Sequence, residues 1–132
     1  MSKKIVVADD ETHILHVVSM KLTNVGFEVF TAEDGEEALE LCNAEMPDLL
    51  ITDYQMPYMS GLELCKAIRA NEQTKHIPTM MLTAWGFDIG PDDMIAAGIA
   101  AVLAKPFSPR EVLSKVTELI DQSVDASAGE RL

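Results

Sequence analysis

Acidic, hydroxyl and ammonium side chains stand at the ends of short apolar runs. Ile5-Val6-Val7-Ala8 leads into Asp9-Asp10, Leu49-Leu50-Ile51-Thr52 into Asp53, the run from Pro78 into Thr83-Ala84, and Ala100 to Ala104 into Lys105-Pro106. If those runs are parallel strands, the residues meet on one rim. Three carboxylates gathered there would repel one another unless a cation sat among them or their pKa values rose. The donors are all oxygens, with no His or Cys, which selects a hard ion. Mg²⁺ suits best, since it takes one or two carboxylates and keeps waters and phosphate oxygens in its other octahedral positions. A carboxylate beside such an ion can attack phosphorus and form an aspartyl-phosphate. Lys105 and the Thr83 hydroxyl would then neutralise and bind the transferred oxygens.

Taken singly, each residue has a plainer explanation. Asp9-Asp10 before a helix is an N-cap and a charge at the positive helix end. Asp53 is a turn residue before Gln55-Met56-Pro57, Lys105 a surface lysine, and Thr83 a strand end. The set carries weight because four strand ends out of five hold complementary groups, and topology fixes their location independently. His13, His16 and His76 have neither pairing nor ligand spacing and read as surface or cap residues, while Met80-Met81 reads as core filler.

The elements that must position this set alternate strand and helix five times. Ile14, Leu15, Val18, Leu22 and Val25 keep helical spacing from Thr12 to Val25, and Gly26 stops that helix. Phe27 to Thr31 is strand-like. Glu37 to Met46 puts Ala38, Leu39, Cys42 and Met46 on one helical face ahead of Pro47. After the loop from Met56 to Gly61, a third helix carries Leu62, Cys65, Ile68 and Arg69. Pro78 to Thr83 and Ala100 to Ala104 are the fourth and fifth strands, and between them Gly90-Pro91 opens a short helix that ends by Gly98. Ser108-Pro109-Arg110-Glu111 is a capping-box pattern with proline in the first turn, followed by a core stripe of Val112, Leu113, Val116, Leu119 and Ile120. Past Asp121 the periodicity is lost, so 1–121 reads as one domain and 122–132 as a flexible C-terminal tail. A (βα)₅ order with short connections implies an α/β fold, a doubly wound parallel sheet with helices on both faces.

Composition narrows the classes of function. Of 132 residues, 48% are hydrophobic and 24% charged, enough for one core. The formal charge of −12 repels phosphate backbones and anionic lipid. Direct nucleic-acid or membrane-surface binding is therefore disfavoured, and cations or basic partners are favoured. Cys42 and Cys65 lie among apolar residues without ligand spacing and read as buried thiols rather than a disulfide. No apolar h-region follows Met1-Ser2-Lys3-Lys4, and the stretch from Ile95 to Ala104 is too short to span a bilayer. The expectation is a soluble, reduced, cytoplasmic single domain.

From about Lys4 to Ile120 the sequence resembles the receiver domain of two-component response regulators. The likeness is carried by Val-Val-Ala-Asp9-Asp10-Glu11, by Asp48 through Asp53-Tyr-Gln-Met56-Pro57 to Ser60-Gly61, by Thr83-Ala84, and by Lys105-Pro106-Phe107. It implies a flavodoxin-like three-layer sandwich with strand order 2-1-3-4-5, and a stand-alone switch of the chemotaxis-regulator type. By that resemblance Asp53 accepts a phosphoryl group from a phosphohistidine on a sensor histidine kinase or a histidine phosphotransfer protein. Asp10 and Asp53 would ligate Mg²⁺ with the Gln55 carbonyl, Asp9 would act through water, and Thr83 and Lys105 would hold the phosphate. The Lys105-Pro106 bond would be cis. Two departures stand out. Val102 occupies the position, three residues before Lys105, where the family usually has Tyr or Phe, and Trp85 is bulky for a position two past Thr83.

The short helix between Gly90 and Gly98 has only Met94, Ile95 and Ala97 to bury, so a ligand should shift it cheaply. That helix, the fifth strand and the last helix are the expected output face, for a downstream protein effector or a homodimer. Thr83, Ala84, Trp85, Val102 and Pro106 are the expected switch residues, with coupling through the backbone after Ala84 and Trp85 instead of a ring rotation at Val102. Outside its own phosphorylation and dephosphorylation, no enzymatic activity is expected. A phosphorelay intermediate is one alternative. A phosphatase of the aspartate-nucleophile type would want a carboxylate two residues past the nucleophile, where Gln55 stands. A dimerisation or interaction module that is never phosphorylated would have no need of the full set.

Overall fold

The structure, a computed structural model, describes residues 3–84 and 89–129, with α5 described beyond Ile120 by its backbone alone. The elements follow in strict alternation: β1 (Lys4–Ala8), α1 (Thr12–Asn24), β2 (Glu28–Ala32), α2 (Gly35–Glu45), β3 (Leu49–Asp53), α3 (Gly61–Ala70), β4 (Thr79–Ala84), α4 (Pro91–Ala97), β5 (Ile99–Lys105) and α5 (Pro109–Gly129). All strand pairs are parallel, in the order β2-β1-β3-β4-β5, as the resemblance implied.

Alternation along each strand sorts its side chains into two layers. Ile5 and Val7 of β1, with Leu49 and Ile51 of β3, pack on Leu15, Val18 and Leu22 of α1 and on Val112, Val116 and Ile120 of α5. Val6, Ala8 and Leu50 face the other way, onto Ala38 and Cys42 of α2 and Leu64 and Ile68 of α3. Cys65, Met81, Ala97 and Ile99 form a smaller cluster under α4. A fully buried aliphatic side chain contributes about 1.5–3 kcal/mol, so these layers fix the strand ends firmly. Met80 and Met81 are core residues and Cys42 and Cys65 are buried thiols, as read from the sequence, and the three histidines are exposed.

The helix starts are local chemistry. Ser108 and Glu111 exchange the reciprocal hydrogen bonds of a capping box, at 3.1 and 3.2 Å. Ser60 and Glu63 form a second box that opens α3. Helix α2 begins at Gly35, earlier than its apolar face suggests, because the Asp34 carboxylate accepts from the Glu37 amide at 2.8 Å. Helix α5 continues past Asp121, where its apolar period ends, as far as Gly129. Among the described residues no helix is long and apolar enough to cross a membrane.

Candidate functional site

Strand order reverses between β1 and β3, and the carboxyl ends of those two strands lie side by side. The last pair in that ladder is Ala8 with Thr52, so Asp9 and Asp53 stand one step further on, next to each other. On the far side of β3, Asp53 pairs with Leu82 of β4, and the β4–β5 ladder closes with Ala84 opposite Lys105. Topology and register alone therefore bring residues 9, 53, 84 and 105 onto one edge. The rim is the place where an open parallel sheet takes its ligand.

The side chains converge as well. One oxygen from each of Asp9, Asp10 and Asp53 lies within 4.8 Å of the others. The Lys105 ammonium sits among them, 3.0 Å from Asp9 Oδ2, 3.4 Å from Asp53 Oδ1 and 3.0 Å from Glu11 Oε1. Asp9 is fully buried; its Oδ1 accepts from the Glu11 amide at 2.9 Å. Its Oδ2 has the ion pair with Lys105 but no hydrogen bond of acceptable geometry. Asp53 Oδ1 accepts from the Tyr54 amide at 3.0 Å. A cleft of about 240 Å³ opens over this group, lined by Asp10, Glu11, Asp53, Tyr54, Gln55, Ala84 and Lys105.

Charge crowding shows in the ionisation of the group. Burial, then the neighbouring Asp9 carboxylate, pushes Asp53 up to about 6 against the pull of Lys105. Burial also holds Asp9 above its ordinary value. For Lys105 burial works towards the neutral form, yet hydrogen bonding and charge from Asp9, Glu11 and Asp53 prevail and hold its pKa above the usual lysine value. The ammonium is therefore a fixed positive charge, while Asp53 remains under-compensated.

The donor set fits a hard divalent cation. Oxygens bound to Mg²⁺ at 2.0–2.1 Å lie about 3–4 Å apart, and the three carboxylates already bring theirs within 4.8 Å of one another. Asp9 Oδ2, buried and held only by its ion pair with Lys105, keeps lone-pair capacity for a further ligand such as a metal-bound water. Asp10 is exposed on the cleft side of Asp9, and Gln55 lies two residues past Asp53 on the cleft wall.

The remaining expected residues are less uniformly placed. Thr83 is buried at the end of β4, opposite Ala104, and is absent from the cleft lining, where Ala84 appears. Pro106 follows a cis peptide at Lys105 and is exposed, and Val102 is partly exposed on β5. Trp85 lies outside the described residues. Sequence reading assigned no role to Gly61. A Cβ there would sit 2.1 Å from the Asp53 carbonyl oxygen, and its amide donates to the Tyr54 carbonyl at 2.8 Å. Only glycine lets α3 start this close to the end of β3. The hint in the sequence was its place at the end of the Asp48 to Ser60-Gly61 motif that carries the resemblance.

Comparison with known proteins agrees with this geometry. Residues 5–117 match the model of the response regulator receiver domain. The alkaline phosphatase synthesis transcriptional regulatory protein PhoP of Bacillus subtilis is 39% identical, over 93% of this chain and 50% of that protein. The chain thus spans about half the length of the curated relatives it matches. Among solved structures, the chemotaxis response regulator CheY4 of Vibrio cholerae superposes with a TM-score of 0.83 at 35% identity, covering 90% of this chain and 99% of that one. A CheY-like receiver domain protein of Methanospirillum hungatei gives a TM-score of 0.84 at 28% identity, covering 96% and 99%. With its strand order, its carboxylate rim and its matched length, the chain belongs to the response regulator receiver domain family.

Proposed function

We propose that Asp53 is the acceptor of a phosphoryl group delivered by a phosphohistidine, on a sensor histidine kinase or a histidine phosphotransfer protein. The observation that carries this reading is the single ammonium of Lys105, set between Asp9 and Asp53 where three strand ends meet. An Asp53 carboxylate oxygen forms the new P–O bond as the donor's P–N bond breaks, and that bond's electron pair stays on the imidazole nitrogen. Lys105 meets the charge on the transferred oxygens, and Thr83 supplies a hydroxyl from the adjacent strand end. Asp10, Asp53 and the Gln55 carbonyl would hold Mg²⁺, with Asp9 acting through water. When bound, the ion offsets the carboxylate charge that faces an anionic donor.

On this reading the chain catalyses only its own phosphorylation and dephosphorylation, and it works in the cytoplasm. Its output face is α4, β5 and α5, where Ile95 is 80% and Val102 36% exposed. A downstream protein effector, or a second copy of the chain, would bind there. The Bacillus subtilis relative is a transcriptional regulatory protein, but a net charge of −12 argues against DNA contact by this chain itself.

Mass spectrometry after incubation with acetyl phosphate and Mg²⁺ tests the assignment. The wild type should gain one phosphoryl group, Asp53→Asn none, and excess chelator should abolish the gain. An adduct of wild-type yield on Asp53→Asn, or full-rate modification in chelator, would overturn the acceptor or the metal role respectively.

A further inference from the structure

Glu11 occupies the N-cap position of α1, where a short Ser, Thr, Asp or Asn side chain ordinarily accepts from the amides of the first turn. It makes no such bond. Its carboxylate turns the other way and accepts from Lys105 Nζ at 3.0 Å, across 94 residues of sequence. It also lines the cleft beside Asp53. Lys105 is mostly buried, with its side chain 17% exposed, whereas the Glu11 side chain is 59% exposed at the mouth. Among the described residues, the cleft-lining cation placed to receive an incoming phosphoryl group is thus shared with a carboxylate outside the proposed acceptor and metal set.

Resting on the acceptor reading above, we propose that Glu11 is a positioning residue that holds Lys105 in a resting state and competes with the phosphoryl group for it. The pair must loosen before Lys105 can turn its ammonium to the transferred oxygens. The same carboxylate also adds a further negative charge at the entrance that an anionic donor must pass. Removing it should lower the barrier to engagement without disturbing the fold, since α1 draws no capping bond from this side chain.

Glu11→Gln keeps size and polarity and removes the charge. A partly exposed ion pair of this kind is worth roughly a two- to fivefold change in an equilibrium. With acetyl phosphate as donor, the variant should show a two- to fivefold lower KM with kcat little changed. Beryllofluoride, a phosphate mimic that needs no group transfer, should bind tighter by a similar factor. Both differences should shrink at about 0.5 M salt, where screening acts within a few ångströms. Glu33→Gln removes an equal charge from the same rim, just past β2, from a residue that is not among the described partners of Lys105. It should stay within about twofold of wild type by both measures. Unchanged or weaker beryllofluoride binding in Glu11→Gln, or an equal gain in Glu33→Gln, would overturn the inference while leaving the acceptor reading intact. Absence of any adduct on the wild type would instead strike the acceptor reading itself.

Discussion

At the scale of single residues, the site stores electrostatic strain in one carboxylate. Asp53 titrates near 6 in the folded chain, because burial and Asp9 outweigh Lys105, and near its ordinary value of 3.8 when unfolded. Below about pH 4 it is neutral in both states; above about pH 6 it is charged in both, and the folded state bears the penalty. Stability from this group therefore falls as pH rises through that window. Without Mg²⁺, Asp53→Asn should be more stable than wild type at neutral pH by on the order of 1–3 kcal/mol, and the two melting curves should converge towards about pH 4. Equal melting temperatures at neutral pH would show that the carboxylate is well compensated after all. A second residue-scale effect lies in the loop after Pro57. Tyr58 has φ of 70° and is 84% exposed, so it carries left-handed strain with little packing in return. Tyr58→Gly should stabilise the chain by about 1 kcal/mol in denaturant titration. The acidic and basic site residues were legible in the sequence because each follows an apolar run. The φ of Tyr58 was not, since it is set by the close Met59 amide to Pro57 carbonyl contact, and Tyr carries no signal for that region.

At the scale of elements, periodicity located all ten, and the errors fell at their ends. The missed starts of α2 and α3 were both written in short patterns, Asp34 before Glu37 and Ser60-Gly61-Leu62-Glu63, which a wider search for caps would have found. The contact that ties α4 into the fold has no such signature. Arg69, read as one more residue on the third helix, donates Nε to the Ala97 carbonyl at 3.1 Å and its terminal nitrogens to the carbonyls of Lys75 and Ile77. Gly98, with φ of 67°, leaves room for it; a Cβ there would meet Arg69 Nε at 2.4 Å. Three backbone acceptors from two separate turns cannot be deduced from local spacing. Arg69→Met keeps the aliphatic stem and removes the donors. It should cost about 2–3 kcal/mol, the scale of hydrogen bonds to a charged group, and should raise amide exchange at Gly98 and Ile99 before elsewhere. Loss of stability with unchanged exchange there would place the effect in packing and not in the clasp.

At the scale of the whole molecule, one ladder joins the chemistry to the proposed output face. Ala84 pairs with Lys105 at the rim, and the same two strands run back to Thr79 and Ile99, where α4 is attached through Gly98. Any change in what Lys105 holds therefore acts on the pair of strands that bracket α4. That helix is loosely seated. Of the three residues expected to anchor it, Ala97 is buried, Met94 only partly so, and Ile95 is 80% exposed. By contrast α1 buries Leu15, Val18 and Leu22 and packs on both β2 and α5. Elements with few buried contacts open at low free energy, and a ligand shifts them first. Hydrogen exchange with and without beryllofluoride and Mg²⁺ should therefore change most across Pro91 to Gly98 and least in the core of α1 from Leu15 to Leu22. The first residues of α1 are the exception worth watching, because Glu11 borders them and gives up Lys105 when the mimic binds. If exchange instead changes chiefly in the middle of α1 while α4 stays as it was, the signal leaves the rim by the other layer, and the face made by α4, β5 and α5 is not the output.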